Sequence, residues 1–122
     1  MPSTAIPTDL SGDDALYQRG SAVRPDMPSW EVLDTAGDLL RALAAPVRIA
    51  IVLQLRESSC CVHDLVDALK VPQPLVSQHL RVLRAVHVVA GERCGREVLY
   101  RLVDHHLAHI VDAAVTHAAE DA

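Results

Sequence analysis

The chain has no Phe, one Trp and two Tyr in 122 residues. Its core must therefore be aliphatic, and it lacks the several exposed rings of a stacking platform for single-stranded nucleic acid. Three Cys is an odd count, which argues against a disulfide framework and fits a reducing compartment. No apolar run approaches the roughly 18–20 residues of a membrane helix. The first residues show neither a basic n-region nor an apolar h-region. These absences predict a cytoplasmic protein with no membrane partner. What is there is 50% apolar and 22% charged, the balance of one globular domain with one core.

Net charge is −5, which taken alone argues against nucleic acid. The distribution argues the other way. Residues 1–40 carry seven acids and two bases, and residues 102–122 carry four acids and no base. Between them, residues 73–101 set Arg81, Arg84, Arg93, Arg96 and Arg101 against Glu92 and Glu97, net +3. A basic middle docks DNA through its local field, whatever the overall sign.

Residues 1–28 hold Pro2, Pro7, Pro25 and Pro28 among Ser, Thr and Asp without periodicity, and read as a flexible N-terminal arm. Residues 29–122 read as one DNA-binding and dimerisation domain. Ser29 can N-cap a first helix running to about Ala44, with Leu33, Ala36, Leu40 and Leu43 at helical spacing. Pro46 suits the first position of a second helix, to about Arg56, which is apolar on most sides and so belongs at the centre of the core. Leu65, Val66 and Leu69 mark a short third helix, and Pro74 opens a fourth through about Val86. The period then changes from 3.6 to 2. Val88 and Val89 open one run, Val98, Tyr100 and Leu102 form the second, and Cys94-Gly95 reads as the tight turn between them. Helical period returns after Asp104, a plausible N-cap. The fold class is mainly α with a small β-hairpin: a winged helix-turn-helix.

On a wheel of the fourth helix, Gln73, Ser77, Arg81 and Arg84 fall within about 80° of one another, with Gln78 at the edge. Leu75, Val76, Leu80, Val82, Leu83 and Val86 take the opposite side, and His79 with them, as a packed core histidine. Arg and Gln offer bidentate contacts to base edges, and Ser and Gln also reach phosphate oxygens. The bland alternative is a solvated helix face. The short turn before the helix, and Arg93 and Arg96 beside the hairpin turn, favour the DNA reading.

Three segments, LRALAAPVRIAIVLQL at 40–55, VPQPLVSQHLRVLRAV at 71–86 and GREVLYRL at 95–102, resemble the ArsR/SmtB family of winged-helix repressors. The resemblance covers about residues 35–120, through the Ser77-x-His79-Leu80 core and the Gly95-Arg96-x-x-x-Tyr100 pattern. It implies a dimer, a palindromic double-stranded operator and release of DNA on metal binding. One departure is His87, where the family usually has the Gly that suits a left-handed helix end.

The last helix carries Asp104, His106, His117 and Glu120, a mixture of O and N donors that suits Zn²⁺ and also admits Co²⁺ or Ni²⁺. Eleven residues at about 1.5 Å rise place the two His roughly 16 Å apart, so one straight helix cannot close a site with ligand bonds of about 2 Å. Two antiparallel copies can, which predicts a homodimer with two equivalent sites. Leu107, Ile110, Val111, Ala114, Val115 and Ala118 would supply its apolar seam. The spacing D-x-H-x10-H-x2-E also resembles the C-terminal-helix zinc site of the SmtB-type sensors. His109 shares the stripe as a spare or outer ligand, and His105 reads as solvated. A second, thiolate site of the family is resembled by Cys61 and Asp64, but it needs a Cys or His from the N-terminal arm, and residues 1–59 contain neither. That site is expected to be vestigial. The leading reading is a zinc-responsive repressor. A thiol-based redox or soft-metal sensor working through Cys60 and Cys61 is the alternative. A small zinc hydrolase fares worst, because four protein ligands leave no open position for water.

Overall fold

The computed structural model describes residues 26–120, so the expected arm falls almost wholly outside the described residues. The chain divides into two compact units, residues 1–33 and 34–122. In the first, Ser29 Oγ accepts from Val32 N at 3.2 Å, the cap its hydroxyl predicts, and helix α1, Trp30–Leu43, starts there and runs on into the second.

In the second unit, Pro46 opens α2, Pro46–Glu57, where its missing N–H has no intrahelical partner to lose. Ile51, Val52 and Leu55 are buried, and α2 packs against four elements. These are α3 (Val62–Leu69), α4 (Gln73–Ala85), β2 (Glu97–Leu102) and α5 (His105–Glu120). Its flanks, Val47, Ile49 and Leu53, are only half-buried against this core. Leu65, Val76, Leu80, Leu83 and Val88 complete the fully buried set. The core is aliphatic, as the absence of Phe requires, and no polar or charged side chain is buried among the described residues.

The end of α4 and the hairpin after it are set by backbone rather than by core. Past α4, His87 N donates to Arg84 O at 3.0 Å and Val88 N to Leu83 O at 2.9 Å. These two bonds are a Schellman ending, which needs a left-handed residue between them. His87 takes that place at φ 62°, so the position usually held by Gly keeps its conformation with a side chain that resists it. The accompanying apolar contact comes from Val88 and Leu83, both fully buried.

Strand β1, Val89–Cys94, then pairs antiparallel with β2, from Val89 opposite Leu102 to Cys94 opposite Glu97. The turn is therefore Gly95-Arg96, one residue later than Cys94-Gly95. Gly95 at φ 64° occupies the first central position, the sign pattern of a II′ turn. Cys94 is the exposed last residue of β1.

A third pairing was not legible in the sequence. Cys60 N donates to Tyr100 O at 3.0 Å and Tyr100 N to Cys60 O at 2.8 Å, which ties the hairpin to the start of α3. At that start, Cys61 and Asp64 form a capping box in which Asp64 Oδ2 accepts from Cys61 N at 3.0 Å. Sulfur is a weak acceptor, so the carboxylate carries the cap. The hydrogen bonds from Cys61, backbone first, hold the Asp64 carboxyl below the usual carboxylate range.

Two outcomes follow. His87→Gly relieves the left-handed strain and raises stability by about 1 kcal/mol, seen as a thermal midpoint a few degrees higher. Asp64→Ala lowers the midpoint at neutral pH. Because the folded-state pKa is depressed, the stability Asp64 contributes is complete above its unfolded value of about 3.9. It is lost as pH falls through the folded value, so melts of wild type and variant converge in acid.

Candidate functional site

Pro72, with φ −58° and ψ 146°, precedes α4, and its carbonyl accepts from Leu75 N and Val76 N at 3.0 and 3.1 Å. Burial of Val76, Leu80 and Leu83 then fixes which face points outward. That face presents Gln73, Gln78, Arg81 and Arg84 exposed and Ser77 half-buried. Arg93 and Arg96 are exposed on the hairpin, and Arg93 Nε donates to Gly95 O at 3.3 Å across the turn. All seven sequence-expected DNA residues lie on α4 or the hairpin. Ser77, Arg81, Arg84, Ala85 and Tyr100 line one open depression between α4 and β2.

Two residues of the α4 wheel differ from expectation. Leu75 is 47% exposed, because in the first turn of α4 the core is met by Val76. His79 is half-buried, and its Nδ1 accepts from Arg48 Nε at 3.2 Å. Arg48 also donates through Nη1 to Ala42 O at 3.2 Å. Arg48 thus links the end of α1, α2 and the DNA-facing helix, a role that no local sequence signal announces.

At the other face, Asp104 caps α5: its Oδ1 accepts from His106 N at 2.9 Å. A carboxylate there also meets the positive end of the helix dipole. The same oxygen lies 3.2 Å from His106 Nδ1. Two donors at about 2.0–2.1 Å on neighbouring corners of a tetrahedron are about 3.3 Å apart, so this pair already has the spacing of two zinc ligands. Both side chains are solvent-accessible. His117 and Glu120 sit exposed near the opposite end of α5. Among the described residues no three His, Cys, Asp or Glu side chains gather around one point. A single protomer therefore brings together half of the four-donor set and holds the other half away. Between the two ends, Asp112 pairs with Arg56, which fastens the middle of α5 to α2.

Two of the three thiols are buried. Cys60 and Cys61 are each 7% exposed. The Cys60 thiol donates to Ser58 O at 3.5 Å, and burial raises its pKa. A thiol so placed is a poor source of the thiolate that metal binding or exchange chemistry requires. Cys61 and Asp64 are the two halves of the α3 cap described above.

Comparison with known proteins agrees with this architecture. Residues 45–90 match the model of the bacterial regulatory protein arsR family. The HTH-type transcriptional repressor SmtB of Mycobacterium tuberculosis strain H37Rv is 76% identical over 126 residues, covering 98% of this chain and 93% of that one. Among solved structures, apo-NmtR in solution superposes with a TM-score of 0.62 at 38% identity, covering 80% of this chain and 83% of that one. The winged helix-turn-helix domain of Mb0332 from Mycobacterium bovis, described as homodimeric, gives 0.68 at 23%, covering 81% and 91%, a likeness of fold alone. With the five helices and antiparallel hairpin of its described residues and its basic α4 face, the chain belongs to the ArsR/SmtB family of winged-helix transcriptional regulators, a family of DNA-binding proteins and not of enzymes.

Proposed function

We propose that the protein is a zinc-responsive repressor which binds a palindromic operator as an apo homodimer and releases it when metal binds. Residues 29–122 carry both tasks: α4 and the hairpin meet DNA, and α5 meets its copy. The observation that carries the metal half is the division of donors along α5. Asp104 and His106 stand 3.2 Å apart at its start, and His117 and Glu120 lie about 16 Å of helical rise away. A second, antiparallel copy brings His117 and Glu120 of one protomer to Asp104 and His106 of the other. Zinc bound there supplies a tetrahedral template joining the two helices, and the same N and O donors accept Co²⁺ or Ni²⁺.

Of the expected apolar seam, Leu107 and Val111 are buried in the protomer's own core, which leaves the C-terminal part of α5 for the pairing. Leu40 on α1 and Val115 on α5 are 55% and 38% exposed, and Ala114 and Ala118 are exposed beside Val115. For DNA, Gln73, Gln78, Arg81 and Arg84 suit major-groove edges and Arg93 and Arg96 suit phosphates. No helix among the described residues is long and apolar enough to cross a membrane, and a cytoplasmic location suits a regulator that must reach the chromosome.

Competition with a chromogenic chelator tests the metal site. Wild type binds two tight Zn²⁺ per dimer, and His117→Ala loses them by more than the roughly 10–100-fold that an outer-shell change costs. A double variant, Asp104→Ala with His106→Ala, loses them too. Mixed dimers of the two variants regain one site, which only an intersubunit arrangement allows. Two tight sites surviving in His117→Ala would overturn the proposal. On the DNA side, Gln78→Ala lowers discrimination at one base pair by about 1–3 kcal/mol in competition binding.

A further inference from the structure

Tyr100 stands where α4, the hairpin and the start of α3 meet. Its backbone pairs with Gly91 on one side and Cys60 on the other. Its ring lies over Gly91, where a Cβ would fall 3.1 Å from Tyr100 Cε1 and 2.8 Å from Val98 Cγ1. Only a hydrogen fits beneath the ring. Tyr100 is half-buried, and a phenol carries a polar donor at the edge of its apolar ring.

Tyr100 lines the depression shared with Ser77, Arg81, Arg84 and Ala85, and it also borders a second one that holds Arg96 and Glu97. Every polar side chain lining the first can donate: two guanidinium groups, one Ser hydroxyl and one phenol. No carboxylate or amide oxygen stands among them. Base edges present donors and acceptors mixed, whereas a phosphodiester presents acceptors and negative charge alone. We propose that this depression is a subsite for one phosphate of the DNA backbone, with the Tyr100 hydroxyl donating to a phosphate oxygen beside Arg81, Arg84 and Ser77. The proposal rests on the operator-binding reading and deepens it. It makes Tyr100 a DNA contact, moves Arg81 and Arg84 from base readout to positioning, and leaves Gln73 and Gln78 as the base readers of α4.

Tyr100→Phe keeps the ring over Gly91 and removes the hydroxyl alone. Full-length, metal-free protein is titrated by fluorescence anisotropy at several salt concentrations. The probes are a duplex that the wild type has selected from a random-sequence pool and a scrambled duplex of the same length. Tyr100→Phe lowers affinity about fivefold to tenfold on both duplexes. The salt slope stays unchanged, because no charge is removed. Arg84→Ala, run in parallel, weakens both duplexes and reduces the slope by roughly 2 for a dimer losing one cationic contact per protomer. Wild-type affinity in Tyr100→Phe overturns the proposal. So does a loss confined to the selected duplex, which would make the phenol a base reader, and so does a loss accompanied by a lower melting midpoint, which would assign the hydroxyl to the fold. A wild type that selects no duplex from the pool overturns the operator-binding reading itself, and the subsite with it.

Discussion

Two backbone hydrogen bonds at the end of α4 decide where the DNA-facing surface can be. The pair from His87 and Val88 back to Arg84 and Leu83 turns the chain out of the helix and into β1 within three residues. Val88 is driven into the core by the same turn. The hairpin therefore follows α4 directly, with Arg93 and Arg96 exposed at its turn end. A second constraint holds the hairpin from its far side, where Tyr100 pairs with Cys60. The ends of the helix-turn-helix are thus set by main chain, while its faces are set by aliphatic packing. Both flanks of α4 pass through left-handed residues other than glycine, Lys70 at φ 59° and His87 at φ 62°. The cost of that conformation, on the order of 1–2 kcal/mol each, is carried by the packing of Leu65, Leu80 and Leu83 beneath.

Most of this architecture was legible because it is periodic. The change from 3.6 to 2 at Val88 separates helix from hairpin, and the apolar surround of α2 places it at the centre. The departure at His87 was legible only through the family resemblance, which expects Gly at that left-handed position. Features without a period escaped. The Cys60–Tyr100 bridge is one residue long, and the Arg48–His79 bond joins residues 31 apart. The hairpin turn was placed one residue early because a polar-Gly pair suggests the I′ pattern, with Gly second. Gly95 instead comes first, so Cys94 stays in the strand. Leu75 fits the apolar side of an ideal wheel, but a first turn has fewer neighbours than a wheel assumes.

The proposed metal site shows the same division between pattern and contact. The spacing of Asp104, His106, His117 and Glu120 can be read along the helix, and from it follows that one protomer is not enough. What spacing does not reveal is that Asp104 already has two tasks. It caps α5 and stands at ligand distance from His106. A metal held there would find one pair of donors fixed by a backbone N–H, with only the second pair to be brought in by the partner. Any signal so received would reach α4 through α2, which packs against both α5 and α4 and carries Arg56 to Asp112 on one side and Arg48 to His79 on the other.

If metal and DNA oppose one another through that frame, the opposition must be reciprocal. The most direct measurement is the affinity of the full-length protein for a duplex that it has itself selected, by fluorescence anisotropy, with saturating Zn²⁺ and with chelator. The account predicts that Zn²⁺ weakens binding by about 5–150-fold, the usual range of an allosteric coupling, and that the duplex weakens Zn²⁺ binding by the same factor. Equal affinity with and without Zn²⁺ would contradict it.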